Sequence, residues 1–359
     1  MITLKENQKE SHILIIGSGI IGKFNALVLS RLGYQVQIID PFEINNSSNA
    51  SLGILMGNIY QKRKGRSWEL RKESIALWPK WLKEFNQINP KLTFDKPFLQ
   101  MTTNEDRFKK MQNFALNHPL DNLKILDTNS KILKNIHEVF CNSKIKGIIS
   151  FDDGRVEPKF LLRTLDILLQ RNKVITIKDK VIKISHEKKN WFAHLSNGNK
   201  ICSEIIVLCN SLNTLNLIDN KKYNFELEPI LGQAVEIVIK NESIDFSRLP
   251  KVMNINNKNV IPITKNKIII GSTDEHNIQP IEDHIQTLIN FIEDKPFWLD
   301  KKNISKKWFG IRSRPVGEGS PLLKSLEQGL ILCAGFYKNG ILLAPACAKW
   351  LSKEIIKHI

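Results

Sequence analysis

Gly17-Ser18-Gly19-Ile20-Ile21-Gly22 interrupts an otherwise apolar segment near the start of the chain. Ser11 to Ile16, just before it, reads as a buried strand. Ile20 to Leu32 reads as a helix, and Tyr34 to Ile39 as a second strand ending at Asp40-Pro41. A GxGxxG placed between a strand and a helix is the context in which the pattern binds a dinucleotide. Gly17 permits the tight turn, Gly19 lets the backbone approach a pyrophosphate, and Gly22 lets helix and strand come close. Ala26, Gly33, Val36 and Asp40 continue the spacing. The helix N-terminus offers unpaired N–H groups and the positive end of its dipole to phosphates. Asp40 can accept hydrogen bonds from both ribose hydroxyls and would repel a 2′-phosphate, which argues against NADP. NAD and FAD remain, and the motif alone does not choose between them.

Strand, glycine turn, helix and strand open a parallel α/β sheet. Asn45 to Asn49 reads as a polar loop, residues 66–88 as a helix with Trp68, Trp78 and Trp81 among its apolar positions, and Val156 to Leu169 as a helix opened by Glu157-Pro158. Val174–Ile177, Val181–Ile184, Trp191–Leu195, Glu204–Leu208, Val235–Ile239 and Lys267–Ile270 read as strands, and Ile281–Phe297 as a helix. Leu330–Ala334, Gly335–Gly340 and Leu342–His358 repeat the opening order of strand, turn and helix. Such a chain forms a domain closed by its two termini, with other segments inserted between. Residues 1–11 are polar and expected to fray.

The chain has 359 residues, enough for two domains or one large one, and 42% hydrophobic with 25% charged residues excludes wholesale disorder. The five cysteines are Cys141, Cys202, Cys209, Cys333 and Cys347; an odd number without CxxC spacing suggests a reduced, cytoplasmic protein. Asp274-Glu275-His276 with Asp283-His284 reads as a solvated loop and helix start, so no metal is expected. No apolar run approaches the ~18 residues of a membrane span. The first run is broken by Gly17 and Gly19 and follows a mixed-charge tail, so no signal peptide is expected. Net charge is +17, from 53 basic and 36 acidic residues. The basic residues are mostly lysines spread along a chain rich in Asn and Ile, which favours biased composition over a dedicated polyanion surface. Lys62-Arg63-Lys64-Gly65-Arg66, the densest basic run, reads as a solvated loop, with phosphate contact as the alternative.

Three further stretches decide the cofactor: Ser48-Asn49-Ala50-Ser51-Leu52-Gly53-Ile54; Trp308-Phe309-Gly310-Ile311-Arg312-Ser313-Arg314-Pro315 followed by Pro321; and Gly335-Phe336-Tyr337-Lys338-Asn339-Gly340-Ile341-Leu342-Leu343-Ala344-Pro345. With the glycine turn, they make the chain resemble the D-amino acid oxidase and glycine oxidase family of FAD-dependent amine oxidoreductases over roughly residues 12–355. The resemblance implies non-covalent FAD. It places Gly17, Gly19, Ile20, Ile21, Gly22, Asp40, Pro41, the whole 48–54 stretch, Val181, Cys209, Gly310 and residues 335–342 beside the cofactor. It implies an arginine that grips the substrate carboxylate, a task suited to a planar guanidinium. Arg312 matches by its distance from Trp308, and Arg314 competes if the one-residue insertion lies earlier. Pro229-Ile230-Leu231-Gly232-Gln233 and Ile270-Gly271-Ser272-Thr273-Asp274-Glu275 give weaker matches. The chain departs from the family pattern at Ser211, where glycine is usual, at Phe336, where histidine is common, at Lys338, a candidate second substrate contact, and at Asn259, where glycine oxidases tend to carry a tyrosine near the substrate.

The implied fold is α/β: a Rossmann-type FAD-binding domain from residues 1–60, 145–218 and 305–359, and an inserted mixed antiparallel-sheet substrate domain from 61–144 and 219–304. The implied activity is oxidation of a small amino acid or secondary amine (glycine, sarcosine or a D-amino acid) to an imine, by hydride transfer to flavin N5, with O2 or another electron acceptor. Glycine oxidases of the thiamine pathway are the nearest fit within the family. Two alternatives stand beside it: an FAD-dependent tRNA-modifying amine oxidoreductase, whose basic run at 62–66 would contact phosphates, and a flavin-binding protein without turnover. A homo-oligomer is compatible with the sequence.

Overall fold

The computed structural model describes residues 12–43, 46–127, 129–240 and 244–359. The frayed tail expected at residues 1–11 lies outside them.

His12–Ile16 is buried along almost its whole length, as a central strand of a parallel sheet must be. It pairs in parallel with Gln35–Asp40 on one side and Ile205–Leu208 on the other. Ile175–Lys178, Leu330–Ala334 and Leu322–Glu327 complete six strands, the last running antiparallel at one edge. Side chains alternate across the strand. Ile13 and Ile15 face a core built with helices Ile20–Arg31, Pro158–Arg171 and Gly340–Glu354. Leu14 and Ile16 face the other side, where Val181–Glu187, Asn190–Leu195 and Lys200–Ser203 form a three-stranded sheet.

The expected helix at 66–88 spans Gly65–Ile88 and braces the final helix. Pro345 removes a backbone donor from that helix. Trp78 Nε1 donates to Leu342 O at 2.9 Å, and Ala346 N donates to Ser74 Oγ at 3.2 Å, so the long helix supplies partners where the proline disturbs the ladder.

An eight-stranded sheet forms the second layer, in the order Ile304–Val316, Glu226–Val238, Lys267–Gly271, Lys258–Thr264, Val252–Ile255, Phe98–Thr102, Lys146–Ser150, Leu123–Ile125. Its pairings are antiparallel except that between Val252–Ile255 and Phe98–Thr102. Phe140, Phe246 and Trp298 anchor its core. Strands Lys146–Ser150 and Ile304–Val316 pair in this sheet, although the boundaries expected at 145 and 305 group them with the nucleotide-binding segments.

Three elements differ from their sequence expectation. The helix expected over Ile281–Phe297 covers only Glu282–Ile289, because Phe291, Ile292 and Trp298 turn into the core and Pro296 cannot continue the ladder. Within the expected loop, Ser47–Ala50 forms a helical turn, capped by Asn46 Oδ1 accepting from Asn49 N at 2.9 Å. The strand expected over Val235–Ile239 proves to be the end of a 13-residue strand, Glu226–Val238.

Candidate active site

A cavity of about 1090 Å3 runs from the C-terminal ends of the parallel strands to the face of the eight-stranded sheet. It exceeds the usual range for a single small ligand, roughly 300–1,000 Å3. At one end lies the glycine turn. Gly17 has φ of +107°, and a Cβ there would sit 2.6 Å from Cys209 O. A Cβ on Gly22 would sit 1.8 Å from Gly17 O, so helix and turn touch backbone to backbone. Gly17 N donates to Ile39 O and Cys209 N to Ile16 O, which ties the turn to the strands on both sides. Asp40 accepts from Ser18 N and Phe42 N, both at 2.6 Å, which fixes its carboxylate at the cavity wall. Ser18 Oγ is buried with no hydrogen-bond partner among the described residues. A bare cradle, a fixed acceptor and an unsatisfied hydroxyl together fit a bound dinucleotide.

The 48–54 stretch forms the adjoining wall. Ile20 N donates to Ser48 Oγ at 3.0 Å, joining the wall to the helix start. Gly53 has φ of +75°, and a Cβ there would meet Val156 O at 1.8 Å. Arg155 Nε donates to Leu52 O at 2.8 Å, and Trp308 Nε1 to Ala50 O at 3.2 Å. Ser211 stands in the left-handed region with φ of +57°, the conformation that glycine adopts most easily, and lines the cavity.

At the far end lies Arg312. Its guanidinium rests on Gly232, where a Cβ would sit 2.0 Å from its Nη2. Nη2 donates to Ser272 Oγ at 2.5 Å, and Nη1 to Thr273 O at 3.3 Å and Asp274 Oδ1 at 3.0 Å. Burial pulls its pKa below the ordinary arginine value, and Asp274 opposes the fall. Asp274 also pairs with Lys338 and accepts from Tyr337 Oη at 3.3 Å. Lys258 Nζ donates to Ser272 O at 3.3 Å. Burial pulls the Lys258 ammonium below its usual value; Asp274 acts against this, while Lys338 and Arg312 add to it. Asn254 Nδ2 donates to Asn259 Oδ1 at 3.0 Å on the neighbouring wall.

In the acidic cluster at 274–276 Asp274 and His276 are exposed and a helix begins at Glu282, as expected, but Glu275 is not solvated. Asp274 lines the cavity, and Glu275 is buried. Burial pushes the Glu275 carboxyl up, but hydrogen bonds from Thr273, Gln233 and His284 outweigh it and hold the group below the usual range. Among the described residues, no group of three or more His, Cys, Asp or Glu side chains is placed to hold a metal ion. No described helix is long and apolar enough to cross a membrane.

The cavity floor rests on charges that carry no sequence motif. Arg71 is buried, donates to Met56 O and, at 2.8 Å, to Asn339 Oδ1, and lies over the Tyr60 ring. Burial lowers its pKa to about 10. The buried Asp153 carboxylate accepts from Gly57 N, Asn58 N and Ile59 N at 2.7–2.9 Å. Asp153→Ala leaves three backbone donors without their acceptor. Each such loss costs about 1–3 kcal/mol, so the unfolding free energy should fall by about 3 kcal/mol or more, read from the midpoint of a urea titration.

Of the residues singled out in the sequence, Arg312, Lys338, Asn259 and nearly all the expected cofactor contacts line this one cavity. Gly22 lies behind it, pressed against Gly17, and Asn49, Leu342 and Arg314 are not among its lining residues. Arg314 instead pairs with Glu228. Val181 lines the cavity beside Lys180. The basic run at 62–66 is not simply solvated either: Arg63 binds Tyr60 O, Asn58 O and Asp121 and stacks over Trp68 and Phe114, and Arg66 donates to Leu323 O. Lys258, Asp274, Asn254, Arg71 and Asp153 escaped the site assignment from sequence. Only the Asn256-Asn257 turn beside Lys258 left a local signal, and it points to a hairpin rather than a site.

The model of the FAD dependent oxidoreductase family matches residues 12–354. Glycine oxidase of Bacillus licheniformis is 22% identical over 97% of this chain and 94% of its own length. The crystal structure of glycine oxidase from Bacillus cereus superposes with a TM-score of 0.80 at 20% identity, covering 97% of this chain and 98% of that one. Iminodiacetate oxidase from Chelativorans gives a TM-score of 0.82 at 16% identity, covering 97% and 96%.

Proposed function

Because the chain belongs to the FAD dependent oxidoreductase family, with FAD as its cofactor, we propose that it oxidises a small amine bearing a carboxylate, and that Arg312 is the carboxylate anchor. The observation that carries this reading is a largely shielded guanidinium packed against Gly232 at the end of the cavity remote from the nucleotide cradle. The names of two relatives, glycine oxidase and iminodiacetate oxidase, are in keeping with it.

In this reading the parallel-sheet layer holds the nucleotide and the eight-stranded sheet presents the substrate. Gly17, Gly19 and the start of helix Ile20–Arg31 would take the pyrophosphate, Asp40 the ribose, and residues 48–54 and 335–342 the flavin end. When bound, the flavin supplies the two-electron acceptor for the hydride leaving the carbon beside the amine, whose C–N bond becomes an imine. The chain's own contribution is positional. Arg312 Nε–H has no protein partner among the described residues, so that edge of the fork is open to a carboxylate. Ser272, Thr273 and Asp274 hold the other edge and fix the plane of the guanidinium. A substrate pinned at its carboxylate presents its amine-bearing carbon in one orientation, the entropic part of catalysis. Ser211 and Phe336, where the chain departs from the family pattern, both line the cavity wall. The internal bonds of Arg63 and Arg66 give little support to a polyanionic substrate.

The test is an anaerobic absorbance titration of the FAD-loaded protein with glycine, sarcosine, D-alanine and iminodiacetate. At least one should bleach the visible flavin band. A band that remains oxidised with all four overturns the reading.

A further inference from the structure

Resting on that reading, we propose that the substrate carries a second acidic group, held by Lys258 while Arg312 holds the first. The two cations converge on one residue: Arg312 Nη2 lies 2.5 Å from Ser272 Oγ, and Lys258 Nζ 3.3 Å from Ser272 O. Lys338 is the third cation of the cluster. Asp274, the carboxylate lining this end, is committed to Arg312 and Lys338. Glu275 turns inward to Gln233, Thr273 and His284. Among the described residues, no carboxylate lies within ion-pair distance of Lys258.

Like charges brought together in a half-buried cavity repel, and the repulsion grows as water is excluded. The arrangement is stable in use only if an anion completes it. Among the side chains lining this end, three cations face one carboxylate, an excess of two positive charges; Glu275 acts on Lys258 and Arg312 only from behind the wall. An amino acid with a neutral amine, the form able to release hydride, brings one negative charge. An amine with two carboxylates balances the site. Asn254 and Asn259 offer the remaining wall as dipoles without charge. Lysine suits the second position: its ammonium is a compact point charge on a flexible stem and accepts a carboxylate over a range of angles.

Matched pairs test this in the FAD-loaded protein at fixed ionic strength. Iminodiacetate is sarcosine with a carboxylate added to its methyl group. Glutarate and butyrate are the same two skeletons with CH2 in place of NH, so they bind without being oxidised. Glutarate should perturb the oxidised flavin spectrum at a concentration at least tenfold lower than butyrate. Iminodiacetate should exceed sarcosine at least tenfold in kcat/KM. In Lys258→Met both ratios should fall toward one, whereas Lys258→Arg should keep them; flavin content and thermal midpoint report whether each variant is folded. Equal affinity for glutarate and butyrate in the unmodified protein overturns the proposal without needing any variant, as does a ratio that survives in Lys258→Met. If sarcosine reduces the flavin and iminodiacetate does so no better, this inference falls and amine oxidation stands. If no amine reduces it, both fall.

Discussion

Arg312→Met should lower kcat/KM for the preferred amine roughly 100- to 1,000-fold while FAD stays bound. Removing one partner of a desolvated charge pair costs about 2–5 kcal/mol, and each 1.4 kcal/mol is about tenfold. The expected loss, about 2.8–4.2 kcal/mol, falls in the middle of that range, because the guanidinium is largely shielded from water and clamped by Ser272, Thr273 and Asp274. The substitution also leaves Asp274 with Lys338 as its remaining ion-pair partner, which weakens the positive field at the anchor. Arg312→Lys keeps the charge but loses the planar fork, so it should recover only part of the loss. Arg314→Met is the control. Its exposed pair with Glu228 is of the kind worth about 0–1 kcal/mol, and activity should change less than fivefold. Steady-state rates, with flavin content measured in parallel, separate the two arginines. A larger loss in Arg314→Met than in Arg312→Met would reverse their assignment.

The contrast between these arginines shows where sequence reading stops. They are two residues apart on one strand, so a period of two places both on the same face. What distinguishes them is register. Glu228 stands directly opposite Arg314, and Ile230 opposite Arg312, in the pairing of Glu226–Val238 with Ile304–Val316. An acidic neighbour claims one guanidinium, and an apolar neighbour leaves the other to the cavity. Register between strands about eighty residues apart is a tertiary fact that no local pattern records. The glycine turn was legible because its spacing is local: strand, turn, helix and Asp40 fall within about thirty residues, and Gly22 answers a contact with Gly17 itself, although Gly17 is also pressed by the distant Cys209. The cavity end near Lys258 was not legible, because the 272–274 stretch, Arg312 and Lys338 reach it from three separate segments. The cluster at 274–276 misled for a related reason. Charged residues in a row suggest solvent, yet Gln233, distant in sequence, joins the nearby His284 in making Glu275 an internal acceptor. The overlong helix expected at 281–297 failed because apolar residues past Ile289 serve the core from an irregular segment, where periodicity carries no information.

Gly22→Val should yield protein that purifies with less than a tenth of the normal flavin and resists reconstitution with added FAD. The first atom of the new side chain would lie 1.8 Å from Gly17 O. That is backbone, so no rotamer relieves the clash, and the start of the helix must move away from the turn. Overpacking of a well-filled interior costs about 1–3 kcal/mol and sometimes more. Here the displacement also opens the surface that a pyrophosphate would meet, since Gly17, Gly19, Ile20 and Ile21 all line the cavity. The loss should therefore appear in flavin content before it appears in stability. Gly33→Ala gives the comparison. Gly33 has φ of +93° and nothing within 4 Å of a built Cβ, so its cost is conformational alone. A left-handed non-glycine residue costs about 1–2 kcal/mol. That variant should melt a few degrees lower yet keep its full visible absorbance. Flavin retained by Gly22→Val would mean that the nucleotide is held elsewhere than at this turn. Flavin lost equally from both variants would make the effect one of general destabilisation, and the close backbone approach at Gly22 would no longer be its cause.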